Sequence, residues 1–90
     1  MFKRLKSKEA IEVYKNYLVT HPDSSRVAFI LGQALKENGE YQSAFNYLQK
    51  SLNLLPADQT VSEFSRNFIQ THLPQLIREI EPHIGGNPAR

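Results

Sequence analysis

Three histidines are the side chains in this sequence best suited to metal or acid-base chemistry, and their spacing argues against both. His21, His72 and His83 are separated by 51 and 11 residues, whereas a zinc-binding helix places its histidines one turn apart. The chain contains no cysteine, so it has neither a thiolate metal ligand nor a thiolate nucleophile. We therefore expect no metal site, and we expect the histidines to have structural or surface roles.

The other candidates for catalysis are equally weak. Glu37 and Glu40 flank a predicted turn as a conceivable acid-base pair, but charged residues beside a turn are usually solvated. No serine has the flanking glycines of a nucleophile elbow, and no glycines and lysine have the spacing of a phosphate-binding loop. Asp23 and Asp58 are interpreted as helix-start residues. We expect a protein that is not an enzyme and has no cofactor.

Positive charge is concentrated at the beginning of the chain. The first eight residues contain four basic side chains: Lys3, Arg4, Lys6 and Lys8. Such an arm, with Phe2 and Leu5 as apolar contacts, could bind an anionic membrane surface or nucleic acid. The alternative is a solvated terminus, since four charges are fewer than dedicated basic tails carry. We interpret residues 1–6 as a basic N-terminal arm and residues 85–90 as a flexible tail.

Length and composition indicate one small domain. The chain has 90 residues, of which 40% are hydrophobic and 22% are charged, and this suits a single globular unit over residues 7–84. Its apolar runs are far shorter than the roughly 18 residues that a membrane span needs, and MFKRLKSK lacks the apolar segment of a secretory signal. Together with the absence of cysteine, these features favour a cytoplasmic location.

Apolar spacing and end signals predict three helices in the first part of the chain. They span about residues 7–21, 24–38 and 40–54. Pro22 and Pro56 end the first and third helices, because a helix rarely continues through the residue before a proline. Asp23 or Ser24 caps the second helix, and Gly39 ends it. Connections this short make neighbouring helices antiparallel.

A 34-residue period runs through these helices. The segment SKEAIEVYKNYLVTHP, residues 7–22, aligns with YQSAFNYLQKSLNLLP, residues 41–56. The shift places Ala10 on Ala44 and Pro22 on Pro56, while the polar positions between them vary. A fixed period of this length indicates stacked helical units that bury their apolar faces against one another.

Residues 26–56 resemble one tetratricopeptide repeat. The chain has the Leu-Gly pair, the Gly-x-Tyr turn, the small residue of the second helix and the closing proline of that family as Leu31-Gly32, Gly39-x-Tyr41, Ala44 and Pro56. It departs from the family pattern at Ala28, Leu35 and Ser51. The resemblance implies an all-α, antiparallel helix-turn-helix array of four to five helices, with about one and a half repeats and a C-terminal capping helix.

A further helix is predicted after Val61, and we assign Phe64, Phe68 and Ile69 to its apolar stripe because they lie 34 residues after apolar positions of the second helix. Pro74 interrupts this apolar pattern. Because Pro74 falls one period after Glu40, we expect a break near His72 and Leu73, with Pro74 in the first turn of a new helix. A single helix kinked at Pro74 is the alternative.

The resemblance implies protein binding. In tetratricopeptide arrays the first helix of each pair lines a binding surface, which here comprises Arg26, Phe29, Gln33, Lys36 and Glu37. Phe29 is either an exposed anchor of this surface or packs against the last helix.

An unpaired first half-repeat also predicts self-association. Its exposed apolar face would form a homodimer through Tyr14, Tyr17 and Leu18. We therefore expect an adaptor or scaffold that binds a peptide or a partner helix. Binding of nucleic acid or an anionic membrane surface by the basic arm is the alternative.

Overall fold

The computed structural model describes residues 7–84, which form four α-helices and no strand. The helices are α1 (Ser7–Thr20), α2 (Ser25–Glu37), α3 (Tyr41–Leu54) and α4 (Glu63–Ile80), and two 3-10 turns span Leu55–Ala57 and Glu81–His83. The predicted all-α array of helical hairpins is confirmed. The predicted arm, residues 1–6, and the predicted tail, residues 85–90, lie outside the described residues.

Local end signals determine the bounds of the first three helices, which agree with the predicted bounds to within one residue. Ser24, and not Asp23, is the N-cap of α2, and its Oγ accepts a hydrogen bond from the backbone N–H of Val27 at 3.3 Å. Gly39 follows α2 with a φ of 82°, a left-handed conformation that glycine adopts without strain.

The hydrophobic core surrounds α2, which packs against each of the other three helices. Ala28, Leu31 and Leu35 of α2 are fully buried. The other helices add Ile11 and Leu18 from α1, Ala44 and Leu48 from α3, and Ile69, Leu73 and Ile80 from α4. The wide apolar stripe of α2 therefore joins the other three helices into one core.

At Gly32, α2 packs closely against α3. A Cβ atom on Gly32 would lie 2.5 Å from Cδ2 and 2.6 Å from Cγ of Leu48, and 3.4 Å from the carbonyl oxygen of Ala44. Leu48 is fully buried, so its neighbours in the core limit how far its side chain can move away. Glycine is required here for close packing, since Gly32 lies in the middle of a regular helix.

The expected break near His72 and Leu73 is wrong, because α4 continues through Pro74. Ile69 and Leu73 are buried on one side of α4, and a break would divide this apolar stripe. Pro74 lies on the exposed side, as does Gln70, whose carbonyl loses its usual intrahelical donor. Water can hydrate that carbonyl, so packing of the buried stripe keeps the helix continuous.

Pro74→Ala should stabilise the protein. An interior proline costs about 3 kcal/mol of helix stability relative to alanine, and the exposed site leaves room for the change. We expect the free energy of unfolding in urea to rise by about 1 to 3 kcal/mol. Pro56→Ala is the matched control, because Pro56 lies in the first turn of a 3-10 segment, where the missing N–H costs little. An unchanged or lower stability of Pro74→Ala would show that the proline is accommodated at no cost.

Gly32→Ala should destabilise the protein although alanine is the better helix former. Overpacking against Leu48 costs about 1 to 3 kcal/mol, which outweighs the gain of about 1 kcal/mol in helix propensity. Urea denaturation measures the difference. The same substitution in a Leu48→Ala background tests the cause, because the cavity left by Leu48 accepts the new methyl group. Equal costs of Gly32→Ala in both backgrounds would rule out the steric explanation.

Candidate functional site

Part of the surface predicted to bind a partner contacts α4 instead. Arg26 and Glu37 are exposed near opposite ends of α2, and Gln33 between them is half-buried. Lys36 Nζ lies 3.1 Å from Glu79 Oε1 of α4. The hydrogen bond and the positive charge of Lys36 lower the pKa of Glu79. Lys36 therefore forms an ion pair between α2 and α4, while Arg26, Gln33 and Glu37 remain accessible.

Phe29 is not an exposed anchor. Its side chain is 3% exposed, and its ring meets the ring of Phe68 in an edge-to-face arrangement with 6.1 Å between the centroids. Of the two interpretations that the sequence left open, the structure shows the one in which Phe29 packs against the last helix.

A groove of about 160 Å³ lies at the surface between α2 and α4, and we call it the α2–α4 groove. Arg26, Phe29 and Gln33 line it from α2, and Ser65, Phe68 and Ile69 line it from α4. Phe68 is 44% exposed, and Arg26 forms no ion pair with any of the described residues. The groove therefore presents an accessible aromatic ring close to an uncompensated positive charge.

Two exposed phenylalanines on α4 were missed by the sequence interpretation, which assigned them to the apolar stripe. Phe64 is 80% exposed, and Phe68 is less exposed but not buried. The spacing of the apolar residues in α4 does indicate that these two phenylalanines point away from the core. Ile69 and Leu73 define the buried side of α4, and Phe68, one residue before Ile69, must point about 100° away from it. Phe64, one turn before Phe68, lies on that same outer side.

The residues predicted for self-association are only partly accessible. Leu18 is buried in the core of its own chain, with 9% of its surface exposed, so it offers little surface to a second copy. Tyr14 is half-buried and packs against the core. Tyr17 is exposed and stacks on His21, with 4.1 Å between the ring centroids. The exposed apolar residues of α1 are thus Val13, Tyr17 and Val19.

Asp58 is a buried carboxylate that holds the start of α2, and its prediction as a helix-start residue of the following helix is wrong. Its Oδ2 accepts hydrogen bonds from the backbone N–H and the hydroxyl of Ser25, both at 2.8 Å. Its Oδ1 accepts from the backbone N–H of Thr60 at 3.0 Å and from the Thr60 hydroxyl at 2.6 Å. Ser62 caps α4 instead, accepting from the N–H of Ser65 at 3.1 Å.

Further hydrogen bonds complete the network around Asp58. The Ser51 hydroxyl donates to the carbonyl of Ser25 at 2.8 Å. The Arg66 guanidinium donates to the carbonyl of Asp58 at 2.7 Å and to that of Leu55. The network ties the beginning of α2 to α3 and to the connection before α4.

The hydrogen bonds to the Asp58 carboxylate also lower its pKa. Burial alone would raise the pKa of Asp58. The four hydrogen bonds from Thr60 and Ser25 together have the larger, opposite effect, so the pKa falls from 3.8 to about 2. A cavity of about 300 Å³ adjoins Asp58 and is also lined by Tyr17 and His21. Because every lone pair of the carboxylate already accepts a hydrogen bond, Asp58 has no capacity left for a ligand or a proton transfer there.

His72, His83 and Glu40 each contact another residue of the chain. His72 Nδ1 lies 2.8 Å from the carbonyl oxygen of Phe68, and the His83 ring stacks on Tyr41 at 4.1 Å. Glu40 accepts a hydrogen bond from the Asn38 side chain at 2.6 Å. Within residues 7–84, no three His, Asp or Glu side chains are grouped so that they could hold a metal ion.

Comparisons with protein-family models, with curated proteins and with solved structures found no match. In the part of the chain that the structure describes, no helix is long and apolar enough to cross a membrane.

Asp58→Asn should lower the free energy of unfolding and remove part of its dependence on acid. The carboxyl titrates near 3.8 in the unfolded chain and near 2 in the folded chain, so the folded state binds fewer protons. The resulting stabilisation, about 2 kcal/mol, is complete above about pH 4 and is lost as the pH falls towards 2. Urea denaturation at pH values from 7 down to about 2 measures this loss.

The control is Asp23→Asn, at an exposed aspartate three residues before Arg26. It should leave the free energy of unfolding within about 0.5 kcal/mol of the wild type. An Asp58→Asn protein that is as stable as the wild type at pH 7 would mean that the network does not hold α2 in place.

Proposed function

We propose that this protein is a non-catalytic protein-protein interaction module, an adaptor that binds a peptide or a partner helix in the α2–α4 groove. The observation that carries the proposal is the half-exposed ring of Phe68 in one groove with the guanidinium of Arg26, which has no ion-pair partner among residues 7–84. Aromatic rings and arginines supply most of the binding energy in protein interfaces. The resemblance of residues 26–56 to a tetratricopeptide repeat supports the same class of function.

The shape of the groove favours a peptide over a small molecule. Its volume of about 160 Å³ is below the roughly 300 to 1,000 Å³ of pockets that enclose drug-sized ligands. It lies open between two helices, so an extended or helical segment can place one side chain in it and continue along the surface. Gln33 and Ser65, which also line the groove, can form hydrogen bonds with the backbone or side chains of such a segment.

A binding role also fits what the titratable groups do. Asp58, whose pKa is shifted to about 2, is enclosed by its hydrogen bonds, and the groove itself contains no carboxylate or histidine among its lining residues. General acid-base catalysis needs such a group within reach of a substrate. We therefore propose recognition without chemical conversion.

Selection of random displayed peptides on the purified chain tests the proposal. Peptides that bind the groove should lose at least about fivefold in affinity on Phe68→Ala, because truncation of an interface anchor costs more than 1 kcal/mol. Arg26→Ala should weaken them as well. Fluorescence anisotropy with labelled copies of the selected peptides measures both changes.

Phe64→Ala is the matched control. Phe64 is the same residue type one turn earlier on α4, it is exposed, and it does not line the groove, so its truncation should change affinity by less than about twofold. The proposal fails if selection enriches no peptide, or if the enriched peptides bind Phe68→Ala and the wild type equally well.

A further inference from the structure

Another concave surface lies between α1 and α3, and it shares no residue with the α2–α4 groove. Its volume is about 220 Å³, and we call it the α1–α3 cavity. Lys15, Leu18, Val19 and Pro22 line it from α1 and the turn that follows, and Tyr47 and Lys50 line it from α3. The cavity is too small for most drug-sized ligands, but it can accept a single apolar side chain.

Four of the six lining residues are apolar or aromatic, namely Leu18, Val19, Pro22 and Tyr47, and one of these is strongly exposed. Val19 is 78% exposed, whereas Leu18 is buried and Tyr47 is half-buried. An exposed valine beside an apolar concavity differs from an isolated surface valine, because an incoming side chain would remove both surfaces from water together.

Two lysines flank this apolar lining without compensation. Neither Lys15 nor Lys50 forms an ion pair with any residue of the described part of the chain. Glu12 is one turn before Lys15 on α1 but does not line the cavity. Lysines near the end of a helix can also serve to offset its dipole, but neither of these lies in the last turn of its helix.

We propose that the α1–α3 cavity docks an acidic segment of a partner protein. An apolar side chain of that segment enters the cavity, and carboxylates on both sides of it pair with Lys15 and Lys50. The charge pattern favours a protein over a lipid surface, since polybasic lipid-binding patches contain about four to eight basic residues and this cavity has two. The single concavity likewise suits one inserted side chain.

The test uses the full chain carrying Arg26→Ala and Phe68→Ala, so that the α2–α4 groove does not dominate a selection of random displayed peptides. The enriched peptides should combine Asp or Glu with a neighbouring Leu, Ile or Phe. In fluorescence anisotropy, Lys15→Glu or Lys50→Glu should weaken these peptides by roughly threefold to tenfold, and added salt should weaken them too. Val19→Ala should also reduce their affinity.

Two control variants are matched to these changes. Arg78→Glu reverses an exposed charge on α4, and Val13→Ala shortens a valine of α1 that is 60% exposed and lies outside the cavity. Each should change affinity by less than about twofold. Thermal unfolding of every variant shows that it is folded.

Three results would overturn the proposal. Selected peptides without acidic residues, or with affinities insensitive to both lysine reversals, would show that the cavity does not recognise acidic segments. Lysine-dependent sedimentation with vesicles of equimolar phosphatidylserine and phosphatidylcholine, without enrichment of acidic peptides, would assign the surface to anionic lipid. A dimer in light scattering that Lys15→Glu converts to a monomer would assign it to a second copy of this chain.

Discussion

The close contact of α2 with α3 at Gly32 is the constraint on which the rest of the packing depends. Leu48 occupies the space that a side chain at Gly32 would need, and this allows the two helices to bury Ala28, Leu31 and Ala44 completely. In a chain of 90 residues the core is thin, since a small domain buries a smaller fraction of its surface than a large one. A looser approach of α2 and α3 would therefore remove much of the hydrophobic stabilisation available.

The hydrogen bonds of Asp58 and the contacts of α4 both stabilise the position of α2, the helix that packs against α3 at Gly32. Asp58 binds the first residue of α2 through its backbone N–H and its hydroxyl, and Lys36 pairs with Glu79 near the other end of α2. α4 also covers Phe29 with Phe68. The same arrangement that protects the core thus creates the α2–α4 groove, because Phe68 covers Phe29 while part of its own ring stays in contact with water.

Helix positions could be predicted from the sequence because their signals are local. Ser24 and Gly39 act within one or two residues of a helix end, and the apolar spacing of α2 shows which side faces the core. Pro74 was misjudged because a local rule competes with burial of Ile69 and Leu73, and only the packing of α4 decides which effect is larger. The surface of α2 could be predicted, but not which of its residues α4 would cover.

Long-range polar contacts were not predictable at all. Asp58 and Ser25 are 33 residues apart, and no periodicity in one sequence indicates that a carboxylate after α3 will accept hydrogen bonds from the start of α2. The outward direction of Phe68 was in principle readable, because adjacent helical residues point about 100° apart and Ile69 and Leu73 define the buried side of α4. It was missed when both Phe68 and Ile69 were assigned to the apolar stripe.

Chemical-shift mapping by NMR, with a peptide selected on the wild-type chain, tests the central claim most directly. If the α2–α4 groove is the binding site, the backbone amide signals of Arg26, Gln33, Ser65 and Phe68 should shift together as the peptide is added, with a common dissociation constant. If those signals stay in place while the peptide binds and shifts only residues elsewhere, the groove is not the interaction site of this protein.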